Sequence, residues 1–429
     1  MRFIPNSTVW PSFSRTSHPG YEDTRLSFAR GEGAFLFDVQ GNRYFDAFST
    51  LWTNLVGHGR EEIIAAMAEQ SRKLSFMHLF SGTTHEPAVR LADRLCQLSP
   101  FGHTKVFFGC SGSDATETSM KMARAYWHYR GKAQKNIIVA RRSTYHGVSF
   151  GALSLMGHDS YQTPYMPLVP ETHRVPPCDI SALESYFREV NAKERVAAFL
   201  IEPIITSDGL VLADQAYWSR VKTLCEENDV LLISDEVSTG MGRVGQMFAS
   251  TLYGLKPQIL YLAKSLTSGY APLSAVLTTE EIFRTIHAPE HYFTHGSTFA
   301  GHPASCVAAL KVLEIVERAG LVERARLLGA VLGDELRRVA TLDLPWHVQV
   351  SGEGTLYEVV LKPKQATKPG YEVTLGMHLY NELLKRGQYV RVLANDLCFA
   401  PPLIATEEQI RELGAKLGEA MKAVAGRRS

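Results

Sequence analysis

The chain has 429 residues, more than one small core usually holds, so either one large domain with appendages or two domains is expected. Its 45 lysine and arginine residues nearly balance its 44 acidic ones, leaving a net charge of +1 and no basic run, which argues against nucleic acid as a partner. The expected partners are small molecules and another copy of the chain.

Six cysteines, at 96, 110, 178, 225, 306 and 398, are scattered without CxxC spacing, which suggests neither a disulfide framework nor a zinc site and fits a reducing cytoplasm. The first residues, MRFIPNSTVWPSF, have no apolar h-region, and no apolar run approaches the ~20 residues of a membrane span. A soluble cytoplasmic protein is therefore expected. From Met1 to about Thr24 there is no periodicity, and this stretch is expected to be an arm lying on another surface.

GAFLFDVQGNRYFDAF alternates apolar and polar around Gln40-Gly41-Asn42, a hairpin signal. GREEIIAAMAEQSRKL and THEPAVRLADRLCQL have helical spacing, the second opening at Thr84 with Glu86 and Pro87 in its first turn. Beyond Pro100 the pattern alternates between strand and helix. TKVFFGC, NIIVARR, VAAFLIEPI, DVLLISDEV and QILYLA are apolar runs, separated by helical stretches such as SDATETSMKMARAYWHYRG and QAYWSRVKTLCEEND. This predicts an α/β layer with a mostly parallel sheet between helices, whose ligands sit beyond the carboxyl ends of the strands. From about Ala304 the helices lengthen, and TLYEVVLKP, YVRVL and LCFAPPL read as strands before a closing helix, TEEQIRELGAKLGEAMKAVAG. The expected organisation is an arm and hairpin over 1–50 that joins the small domain, a large domain over 51–303, and a C-terminal small α+β domain over 304–429.

Several strand ends carry chemistry. Gln258 to Lys264 reads as a buried strand ending in a lysine, where burial lowers the amine's pKa and frees it to condense with an aldehyde; an ion pair or a snorkelling head is the structural alternative. In FFGCSGSDATE a strand runs into Ser111, Gly112 and Ser113 at a helix start, which suits a phosphate, or else a plain helix capped by Ser113. RRSTYHG puts Tyr145 and His146 after a strand, an aromatic face able to stack on a flat ring. Asp235 ends another apolar strand and needs a cationic partner or several donors; a protonated pyridine nitrogen is one such partner. Glu202, in FLIEPI, brings a second acid to the same sheet edge. GMGRVG matches GxGxxG literally, but no helix pattern opens at its first glycine and Lys264 stands near the expected acid position, so the match is read as accidental and a nicotinamide-binding protein as a competing hypothesis. HGSTFAGHP offers Gly296, Ser297 and Thr298 as phosphate donors, and its His295 and His302 lack the acid or cysteine that a metal site needs.

Together SGSDATE, YHG, EPI, DEVSTGMGRVG, LAKSLTSGYAPL and HGSTFAGHP, in this order and at these separations, resemble the class III (omega or ornithine-type) aminotransferases of pyridoxal phosphate fold type I, from about Arg30 to PPLIATEEQ. The resemblance implies pyridoxal 5'-phosphate as cofactor and a homodimer with shared active sites. It implies that Lys264 forms the Schiff base with the cofactor and shuttles the substrate's proton, and that Asp235 keeps the pyridine nitrogen protonated. Tyr145 and Val237 match the residues on the two ring faces, Gly112 and Ser113, beside Ser111, the phosphate cup, and Thr298 a phosphate ligand from the neighbouring subunit. Glu202, with His146 nearby, matches the surroundings of the ring substituents.

For substrate, the resemblance assigns Arg391 to a carboxylate and places Trp52 and Phe80 in an aromatic pocket. Departures fall on the pocket wall: IITSDGL puts Ser207 and Asp208 where many members have a glycine-rich loop, Ser238 stands where the ornithine branch often has glutamine, and Met241 replaces a frequent phenylalanine. The expected reaction moves an amino group from an amine or omega-amino acid to a 2-oxo acid, aldehyde or ketone. The alternatives are a diaminopelargonate (biotin-pathway) aminotransferase, whose Trp-His-Pro-Tyr motif Trp10-Pro11-Ser12-Phe13 partly echoes, and a class III aminomutase.

Overall fold

The structure, a computed structural model, describes residues 12, 26–207, 209–365 and 371–426. The expected N-terminal arm, the Trp10–Phe13 motif apart from Ser12, and Asp208 therefore lie outside the described residues. Seven strands build the central sheet: β1 (His103–Gly109), β2 (Ile137–Arg141), β3 (Thr172–Val175), β4 (Val196–Ile201), β5 (Leu231–Asp235), β6 (Ile259–Leu262) and β7 (Ser274–Thr279), in the order β1-β7-β6-β5-β4-β2-β3. Neighbours from β3 to β6 pair parallel, whereas β7 runs antiparallel to both β6 and β1.

The five predicted apolar runs are β1, β2, β4, β5 and β6. Every residue of β2, β4, β5 and β6 is buried, as a sheet covered on both faces requires. Two strands escaped the sequence reading. β3 is a short edge strand, THRV, whose three polar residues are only half-buried. β7, SAVLTT, returns to the sheet without a helical crossover and so breaks the alternation on which the reading relied.

The helix Gly112–Tyr129 begins at the end of β1, and its N-cap is Ser111 rather than the expected Ser113: the Ser111 Oγ accepts from the Asp114 N–H at 3.2 Å. The helix expected at Thr84 spans Glu86–Leu98 and is capped by the His85 ring.

The predicted hairpin is present, Phe35–Asp38 pairing antiparallel with Arg43–Asp46. The Asp38 carboxylate fixes its turn by accepting from the N–H groups of Gln40 and Asn42, both at 2.9 Å. Gln388–Tyr389 pairs parallel with Arg43–Asp46, and Phe45 and Ala47 share an apolar core with Leu379, Leu397 and Leu417. The hairpin thus packs with the C-terminal part. That part contains a second four-stranded sheet, Trp346–Glu353, Leu356–Pro363, Asp396–Phe399 and Arg391–Leu393, with the helices Leu321–Ala340, Tyr371–Lys385 and Glu407–Ala425. Trp346–Glu353 and Tyr371–Lys385 were not foreseen. Among the described residues no helix is long and apolar enough to cross a membrane.

Candidate active site

A cavity of about 450 Å³ opens beyond the carboxyl ends of β1, β5 and β6. Ser111, Gly112 and Ser113 form one wall, Tyr145, His146 and Val237 line it, and Asp235 and Lys264 reach it from neighbouring strands. The register explains the convergence: Asp235 pairs with Tyr261, so the two strands end together and Lys264 follows three residues on.

Lys264 lies past its strand, not at its end, in a 3-10 turn with φ of +37°. Its Nζ donates to the Ser238 Oγ at 2.8 Å and sits 4.9 Å from the centre of the Trp52 ring. Burial pulls its pKa down to about 8; the nearby Asp235 and Glu202 carboxylates oppose this, and Arg391 adds to it.

Asp235 is buried and well supplied with donors. Its Oδ2 lies 2.8 Å from the His146 Nδ1 and accepts from the Tyr261 hydroxyl at 2.8 Å, while its Oδ1 accepts from the Val237 N–H at 3.0 Å. The carboxylate assigns the proton of a neutral His146 to Nδ1. The buried His146 Nε2 has no hydrogen-bond partner among the described residues.

Glu202 follows β4. Its carboxylate accepts from the Tyr145 N–H at 2.8 Å and from Thr206, and burial raises its pKa. It therefore anchors the backbone of Tyr145. At the other end, the exposed N–H groups of the first helical turn and the positive end of the dipole favour an anion beside Ser111–Ser113. Gly147, at φ +114°, lets the Tyr145-His146 loop pass close to this turn: a Cβ there would lie 2.9 Å from the Ser113 Cα.

The expected substrate residues divide. Trp52 is buried with its ring between Lys264 and Arg391, the Arg391 Cζ standing 4.6 Å from the ring centre. The Arg391 Nη1 is buried without a hydrogen-bond partner among the described residues, and burial lowers the pKa of the guanidinium. Phe80 is exposed and packs against Gly296, off the wall of its own chain's cavity. Thr298, in the same exposed region, is also off the wall of its own chain's cavity. Ser207 spends its hydroxyl on the Ser143 carbonyl at 2.9 Å, a backbone contact rather than an open pocket donor.

Three residues went unassigned in the sequence. Tyr261 looked like one more apolar strand residue, Ser238 like a simple departure, and Thr53, on the cavity wall, carried no signal. GMGRVG forms turns, not the opening of a helix. Its Arg243 is fully buried and donates to the carbonyls of Ala400 and Pro401, so the segment ties the sheet to the C-terminal part. His295 is engaged by Thr118 at 2.8 Å and stacked on Phe107, and His302 caps the helix Pro303–Arg318.

The model of the family described as aminotransferase class III matches residues 16–421. The chain is a class III aminotransferase. This aminotransferase is 31% identical to a putrescine–pyruvate aminotransferase of Pseudomonas aeruginosa over 94% of both chains. It is 34% identical to an adenosylmethionine-8-amino-7-oxononanoate aminotransferase of Methanocaldococcus jannaschii, over 94% of this chain and 93% of that one. Its fold superposes on an amine transaminase from an uncultivated Pseudomonas species, solved in its PLP-bound form, with a TM-score of 0.89 and 31% identity over 97% and 99% of the two chains. The aminotransferase has fold type I and uses pyridoxal phosphate.

Proposed function

We propose that this aminotransferase takes the amino group of an amine or omega-amino acid and passes it, in a second stage, to a 2-oxo acid, aldehyde or ketone. The observation that carries the reading is the placement of the Lys264 amine, its pKa pulled down to about 8, between an acid-backed cavity and an Arg391 Nη1 that has no hydrogen-bond partner among the described residues. The cavity residues fit pyridoxal phosphate: an anion cradle, a carboxylate, flanking side chains and an amine all open on one space. When bound, that cofactor supplies an aldehyde for amines and a ring that takes up electrons from the substrate carbon.

Ser111, Gly112 and Ser113 would hold its phosphate, Tyr145 and Val237 its two faces, and Asp235 its ring nitrogen, with His146 and Glu202 fixing Asp235 and Tyr145 in turn. Lys264 would bind the aldehyde and, once displaced by the incoming amine, carry the proton to and from the substrate carbon. Ser238 holds that amine on the cavity side. Arg391 would clasp a carboxylate, while Trp52 walls the space between the two cations. An uncharged amine meets the same wall without needing the clasp.

The proposal includes a homodimer in which the partner subunit's Thr298 completes the phosphate site. The exposed aromatic residues Phe80 and Phe299 around Thr298, with Phe76 beside Phe299, support it. A cytoplasmic location is supported by six cysteines that are all free thiols. The test is a panel of amines and amino acids scored by absorbance for conversion of the cofactor to its amine form, followed by addition of a 2-oxo acid. The expected result is conversion, restoration by the 2-oxo acid, and loss of both in Lys264→Ala. Isomerisation of one substrate with no transfer to the added acid would overturn the reading in favour of an aminomutase.

A further inference from the structure

We propose that Tyr261 is a positioning residue that keeps the Asp235 carboxylate anionic, so that the ring nitrogen of the cofactor, and not Asp235, carries the shared proton. The inference rests on the cofactor reading above. Tyr261 is wholly buried in β6, and its hydroxyl has one role visible in the structure, that of linking two polar groups. It donates to the Asp235 Oδ2 at 2.8 Å and accepts from the Thr116 Oγ1 at 3.0 Å. The Thr116 hydroxyl shares its single proton between that phenol oxygen and the His146 carbonyl at 2.7 Å, which brings the acid, its histidine and the phenol together. The backbone adds a second tie, because the Tyr261 carbonyl accepts from the Glu236 N–H at 3.0 Å.

The groups facing Asp235 come from every element around it. His146 and Tyr261 share its Oδ2, Val237 occupies part of its Oδ1, and Glu202 and Lys264 bear on it through space. In such a buried setting an anion persists only while its donors hold it, and each donor makes the carboxylate a weaker base. With the phenol removed, the carboxylate gains proton affinity. The proton that a bound pyridine ring would share with it would then rest on the carboxylate oxygen, and the ring would draw electrons less well. Burial raises the Tyr261 pKa well above its ordinary value, so the phenol stays a donor across the working pH range.

The test is Tyr261→Phe in the holoenzyme, which keeps the ring volume and deletes one oxygen. Enzyme loaded with 15N-labelled pyridoxal phosphate reports ring protonation directly by NMR. The expected result is a 15N signal shifted from pyridinium toward pyridine, with kcat for the first half-reaction lowered about 10- to 100-fold, the span of one charge-assisted hydrogen bond. Thr116→Val, which leaves the phenol but not its anchor, is expected to move the same signal by less. An unchanged 15N signal with a lowered melting temperature would make Tyr261 merely structural and overturn the inference. A wild-type enzyme that fails to bind the cofactor at all would instead overturn the reading on which it rests.

Discussion

Replacing Arg391 by alanine separates two kinds of substrate recognition. The guanidinium is held on the Trp52 face with its Cζ 4.6 Å from the ring centre, and its Nη1 is buried with no hydrogen-bond partner among the described residues, so a donor stands ready for a ligand. A carboxylate bound by two parallel, charge-assisted hydrogen bonds would gain about 2–4 kcal/mol from the fork. Loss of that much lowers kcat/KM about 30- to 1,000-fold. A simple aliphatic amine makes no such contact and should lose less than about threefold, from the missing packing on Trp52. The assay is single-turnover kinetics of the two half-reactions, one with a 2-oxo acid and one with the amine. Equal losses in both would refute the reasoning and make the arginine a structural support for Trp52.

Three further outcomes follow from the geometry. Lys264 attacks an aldehyde only as the free amine, and its pKa is lowered from 10.5 to about 8. Capture of pyridoxal phosphate by apoenzyme, read by borohydride fixation and mass spectrometry, should therefore rise as pH passes through about 8 and level off above it; a midpoint near 10.5 would contradict a desolvated amine. Lys135 is completely buried and donates to the carbonyls of Ala192, Lys193 and Asn228 at 3.2, 2.9 and 3.1 Å, so Lys135→Ala should cost about 3 kcal/mol in urea unfolding while the folded holoenzyme keeps its kcat. Gly147→Ala combines a left-handed φ of +114° with a Cβ 2.9 Å from the Ser113 Cα, and should weaken cofactor binding at least about 10-fold by equilibrium dialysis with little change in the far-UV spectrum.

Much of the fold was legible because a doubly covered sheet writes itself as continuous apolar runs, and β2, β4, β5 and β6 are such runs. Asp235, Glu202 and Lys264 stood out for the same reason: a charge at the end of a buried run is costly without a task. What stayed hidden was whatever the pattern does not encode. β7 reverses direction, which no periodicity announces, and β3 is too short and too polar to differ from a loop. Ser111 rather than Ser113 caps its helix because the strand ends one residue before Ser111's neighbour Cys110 turns, a matter of backbone dihedrals. Tyr261 was invisible as chemistry because its phenyl ring satisfies the apolar pattern while its single oxygen does the bonding.

The antiparallel return of β7 sets the backbone from which Lys264 projects. Leu262 pairs with Ala275, so the loop between them leaves the sheet and comes back to the same edge. Along the way the Ser265 Oγ donates to the Trp52 carbonyl at 3.0 Å, and the Ser268 Oγ accepts from the N–H groups of Leu55 and Val56. The loop is pinned at both feet and twice in its span. In the proposed reaction Lys264 would work from a fixed post, its excursions confined to the swing of its own side chain.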